Sequence, residues 1–184
     1  RLGRRGRLLR RRGLLRRRRL LRRRRRERKL VRRAMAKGDR TGDFFDGLDR
    51  AAIVEAIRRA EERGFGEIRV HLHHGRAGSV RKAAEETFLR LGMDRTERRS
   101  GCLVFIAPEE KAFAVVGDSG VHEKAGDAFW VAARDAAAAH FACGRFTEGI
   151  VAAVDLIGEV LARHFPKAPR QADANELADE VSED

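Results

Sequence analysis

Four carboxylates and a histidine lie beside glycines in a pattern that suits cation chemistry. Glu67 opens an alternating apolar segment, Asp118 stands between Gly117 and Gly120, and His122, Glu123 and Asp127 follow shortly after. A hard cation such as calcium takes six or more oxygens at about 2.3–2.6 Å from carboxylates, carbonyls and water. Glu67, Asp118 and Asp127 are therefore the candidate metal ligands, with calcium or another divalent cation as the expected cofactor. His122 titrates near neutral pH and is a candidate base. It does not share a target with Glu123, because neighbouring helical residues point about 100° apart. The same residues also have purely structural readings. Asp127 would cap a helix, Asp118 would hold the Gly117–Gly120 turn, Glu67 would pair with Arg99, and His122 would bond to backbone.

Other groupings are less complete. His71 and His73 share one strand face, with His74 alongside, but no Cys or acid completes a tetrahedral metal set. Gly75-Arg76-Ala77-Gly78-Ser79 before a helix offers amides to a phosphate, yet lacks a full nucleotide-binding pattern and reads equally as a turn with a Ser cap. No Ser-His-Asp or Cys-His order is recognisable. Cys102 and Cys143 are too few and too far apart for a disulfide framework, so a reducing compartment, the cytoplasm, is expected.

These residues need elements to position them. Asp46 or Asp49 can cap a helix that runs to Gly64, with Ile53, Ile57 and Ala60 on one face. Residues 67–73 alternate as a strand, with Ile68, Val70 and Leu72 on the core side. Ser79 caps a second helix that Gly92 ends. Residues 102–107 form a continuous apolar run, the mark of a strand buried on both faces. The connection to a further strand at 112–116 is short enough only for an antiparallel hairpin. A helical turn near 121–124, a helix opened by Asp127, and a last helix through Ile150, Val154, Ile157, Leu161 and Phe165 complete the body. Pro166 stops that helix, and Leu177 and Val181, four apart, would lay one more helical turn on the domain.

This order predicts where the chemistry gathers. If the helix from 79 to 91 links the first two strands, they are parallel. The hairpin then brings the C-terminal end of the third strand to the N-terminal ends of the other two. Glu67, Arg99, Ser100, Gly101, Gly117, Asp118 and Gly120 should meet on one rim, with His122, Glu123 and Asp127 on the following turns. Helix N-termini near such a rim favour anions or capping carboxylates.

The stretch Ala-Phe-Ala-Val-Val-Gly-Asp-Ser-Gly-Val-His-Glu-Lys-Ala-Gly-Asp-Ala-Phe-Trp at 112–130 resembles the TPM domain family. The family's name is built from thylakoid, photosystem II repair and levamisole-receptor-modulating members. The similarity extends back through Gly66–His71 and Gly101–Ile106, and forward through Gly149-Ile150, His164-Phe165-Pro166 and Asn175–Ser182. It is strongest to small bacterial members without a membrane anchor. The resemblance implies an α/β fold, a three-layer α/β/α sandwich with a small mixed sheet. It also implies calcium binding, seen in some relatives, and acid phosphatase activity, described for others. In those relatives an acidic or amide residue tends to precede the glycine that opens the middle strand. Here the stretch reads Arg98-Arg99-Ser100-Gly101, basic where a cation ligand would be acidic.

Charge divides the chain at Met35. Residues 1–34 hold 20 Lys/Arg and one acid, Glu27, out of 41 bases and 28 acids in the whole chain. The remainder therefore carries 21 bases against 27 acids, so the net +13 reflects the first segment alone. In that segment the pairs Leu8-Leu9, Leu14-Leu15 and Leu20-Leu21 recur at a step that turns a helix by about 120°, so no single apolar stripe forms. The absence of a long apolar run predicts neither a signal peptide nor a transmembrane span. Dense like charge predicts disorder, and polybasic binding to nucleic acid or anionic lipid. The tandem composition ending at Met35 also fits upstream sequence joined to a reading frame that begins there.

The expected organisation is thus 1–34 as an Arg-rich tract, 35–166 as an α/β domain and 167–184 as an acidic tail. The expected function is a TPM-like binding or regulatory module whose glycine-rich rim around Asp118 recognises a cation, a protein partner or a small anionic ligand. The alternatives are a weak metal-assisted acid phosphatase at the same rim, with Arg98 and Arg99 on the phosphate, and association with nucleic acid or anionic membrane through residues 1–34.

Overall fold

The computed structural model describes Lys29 and residues 41–167 and 181–183. The other residues of the Arg-rich tract, and Leu177, lie outside these. A short helix α1 (Thr41–Asp46) leads to α2 (Arg50–Arg63), whose first turn is capped by Asp49 accepting from the Ala52 amide at 2.9 Å. Ile53, Ala56, Ile57 and Ala60 form the buried face of α2. The chain then runs through β1 (Ile68–Leu72), α3 (Val80–Arg90), β2 (Cys102–Ala107), β3 (Ala112–Gly117), α4 (Ser119–Phe141), α5 (Phe146–His164) and β4 (Val181–Glu183).

The sheet has the order β3-β2-β1-β4. β1 runs parallel to β2, with Ile68 opposite Cys102 and Leu72 opposite Ile106, while β3 returns antiparallel with Gly117 opposite Cys102. The expected crossover and hairpin are both present. Alternation along the strands sorts side chains into two cores. Ile68, Val70, Leu72, Cys102, Val104 and Ile106 pack with α2, α4 and α5 on one face. Leu103, Phe105 and Ala107 pack with Ala84 and Phe88 of α3 and with Met93 on the other. The result is an α/β/α arrangement around a small mixed sheet.

Two elements differ from the sequence expectation. The turn and the helix after Gly117 are halves of α4, which breaks at Gly126 (φ 69°, ψ 175°); Asp118, not Asp127, caps the element. Asp127 is exposed. Val181 belongs to a strand rather than to a turn of helix: Val181, Ser182 and Glu183 pair with Val70, His71 and Leu72. Side chains account for this placement. Ser182 Oγ lies 2.9 Å from Nδ1 of the fully buried His71, and Glu183 bonds His74 Nε2 at 3.0 Å and also pairs with Arg50. Among the described residues no helix is long and apolar enough to cross a membrane.

Candidate functional site

The rim forms where the three long strands end. The Cys102 amide donates to the Glu67 carbonyl at 2.7 Å and the Asp118 amide to the Gly101 carbonyl at 2.9 Å. Glu67, Gly101 and Asp118 are therefore lateral neighbours in one row, as the topology requires. Two inter-strand steps separate Glu67 from Asp118, about 10 Å between backbones. Their side chains serve different surroundings.

Asp118 is 6% exposed. Among the described residues its side-chain bonds fall on Oδ1, which accepts from the Ser119 amide at 2.6 Å and the Ser119 hydroxyl at 3.1 Å and lies 3.3 Å from Arg99 Nε. Oδ2 is buried and has no hydrogen-bond partner among the described residues. Arg99 reaches Asp118 from a left-handed backbone (φ 54°), and its Nη1 donates to the Asp94 carbonyl at 2.6 Å. The ion pair expected between Arg99 and Glu67 is thus formed with Asp118 instead. The negative charge of Asp118 also reaches Cys102 behind the rim. Burial first, and this charge second, push the thiol far up, so Cys102 stays protonated and is no nucleophile.

Glu67, also buried, lines a small hollow with Phe65, Thr96, Arg98 and Ser100. Ser100 is held from below, its amide donating to Thr96 Oγ1 at 2.9 Å. The Arg98 guanidinium lies 3.8 Å over the Phe65 ring. Two glycines give the rim its shape by close approach. A Cβ on Gly117 would lie 2.1 Å from Cη2 of Trp130, and one on Gly120 would lie 2.7 Å from the carbonyl oxygens of Arg98 and Arg99. Trp130 is the rim residue that sequence reasoning missed. Its indole N–H donates to His122 Nδ1 at 3.1 Å, which makes that nitrogen the acceptor and directs the exposed imidazole. The traces of Trp130 in the sequence are its being the chain's one tryptophan and the glycine that ends β3.

The rim therefore collects Glu67, Arg99, Ser100, Gly101, Gly117, Asp118, Gly120 and His122. Glu123 and Asp127 point to solvent and do not join Asp118. Among the described residues no three His, Cys, Asp or Glu side chains converge as a ready metal set. At the opposite end of the sheet, the amides of Ala77 and Gly78 donate to Glu110 Oε1 at 2.8 and 3.4 Å. The loop that sequence offered to a phosphate is filled by a carboxylate of the chain itself.

Comparisons with known proteins agree with this architecture. None of the curated proteins matches the chain. The NMR structure of BA42 protein from the psychrophilic bacterium Bizionia argentinensis is similar at 37% identity and a TM-score of 0.68, over 73% of this chain and 92% of that one. The family model described as TPM domain matches residues 39–160, well over half of the sequence, and the chain accordingly belongs to the TPM domain family.

Proposed function

We propose that the protein is a TPM-type recognition module whose rim binds a cation at Asp118. The observation that carries this reading is the buried carboxylate with one committed and one uncommitted oxygen. A buried carboxylate oxygen without a partner costs on the order of 1–3 kcal/mol or more, and a cation on Oδ2 would recover that cost. Among the described residues Glu110 Oε2 is buried in the same way, but it lies at the opposite end of the sheet, so on the rim Asp118 is the acidic side chain poised for this. A metal here would complete its shell from main-chain carbonyls and water, and the expected affinity is weak, about millimolar, as in sites with few charged ligands.

The test is a calcium titration followed by 1H–15N NMR. Shifts should concentrate at Gly101, Asp118, Ser119 and Arg99 and vanish in Asp118→Asn, which keeps the cap oxygen but removes the charge. Unshifted rim amides up to tens of millimolar calcium would end the proposal. The phosphatase reading stands second. It needs Arg98 and Arg99 for phosphate, and these are engaged by the Phe65 ring and by Asp118 with the Asp94 carbonyl. Turnover of a phosphate ester that Asp118→Asn abolishes would reverse this order.

A further inference from the structure

The two edges of the sheet are treated differently. The edge of β1 is covered by β4, which is fastened by His71, His74 and Arg50. The outer edge of β3 has no strand beside it among the described residues. The Asp118 amide turns inward to Gly101, so by the alternation of an antiparallel ladder Ala112, Ala114 and Val116 also face β2. Phe113, Val115 and Gly117 direct their N–H and C=O groups outward. Proteins usually blunt such an edge with charge, proline or a bulge. The run Ala-Phe-Ala-Val-Val-Gly has neither charge nor proline, and its pairing with β2 is continuous from Ala112 to Gly117.

We propose that this edge is a dimer interface, in which β3 of a second copy pairs antiparallel about a two-fold axis at Val115. Centring on Val115 sets it opposite its own copy and sets Phe113 opposite Gly117, where the Trp130 indole of the other copy stands in the place of a side chain. About six main-chain hydrogen bonds form. Charge selects the antiparallel sense. At the hairpin end Glu109 is exposed beside the half-buried Lys111, and among the described residues it faces Arg76, 4.0 Å away and itself 89% exposed. At the other end Arg98 and Arg99 are exposed. The two-fold brings Glu109 of each copy towards Arg99 of the other, twice, whereas a parallel arrangement stacks like ends.

Sedimentation and amide exchange on the unmodified protein, from micromolar to millimolar, test this together. The expected result is a concentration-dependent dimer in which the Phe113, Val115 and Gly117 amides become protected, while Ala114 and Val116 are protected throughout. Glu109→Arg and Arg99→Glu should each raise the dissociation constant roughly tenfold, and mixing the two variants should restore association because both ion pairs re-form in the heterodimer. A monomer at millimolar concentration overturns the proposal. Protection of Phe113 and Val115 that does not depend on concentration also overturns it, since a segment of the same chain would then cover the edge.

Discussion

At Gly117 one absent methyl group sets the shape of the rim. The Trp130 indole occupies the volume a side chain would need, and through it His122 is oriented. Gly117→Ala should therefore cost about 1–3 kcal/mol by overpacking, read as a lower urea midpoint with the slope unchanged, and should release the bond to His122. At this scale the sequence spoke unevenly. Asp118 stood out because an acid between glycines at a strand end is either a turn residue or a ligand. Its pairing with Arg99 was not legible, since the contact depends on Arg99 adopting a left-handed backbone that no residue-type preference announces. The place of Trp130 on the rim was not legible, because the break at Gly126 that swings it onto the strand end leaves only a glycine in the sequence.

Among the elements, β4 has the least support of its own and depends most on distant side chains. Three residue pairs hold it, and Ser182 meets a histidine 111 positions earlier. Burial raises the pKa of Glu183, but the bonds from His74 and Arg50 and their charges outweigh it, so the net shift is downward. A lowered folded pKa means that the folded state takes up this proton less readily than the unfolded one. The stabilisation is present at neutral pH and is lost as pH falls through the folded pKa, below the usual carboxylate range. Acidification should thus free Val181–Glu183 before the helical core melts, and Arg50→Ala should move that release to higher pH. Signals of Ser182 and His71 followed by NMR against pH would check both. Helices α2, α3 and α5 were legible from caps, glycine stops and apolar period, and the β2–β3 hairpin from its short connection. β4 was not, because three residues carry too little pattern and their partners lie outside any local window.

For the whole molecule, charge is distributed more unevenly than composition suggests. The Arg-rich tract turns a body with more acids than bases into a cationic chain. Full-length protein should bind a polyanion such as heparin or duplex DNA with an affinity that falls steeply with salt, and residues 35–184 should not bind it. Equal binding by the two forms, in a fluorescence anisotropy series at increasing salt, would show that the body contributes a basic surface.

Trp130 has a practical consequence. The chain holds no tyrosine and no second tryptophan, so when excited in the near ultraviolet the protein emits from one indole, and that indole rests on the strand end next to Asp118 and is tied to His122. The natural protein thus carries its own optical probe at the place where ligands are expected, and spectral change on adding a candidate would come from that neighbourhood without any label attached.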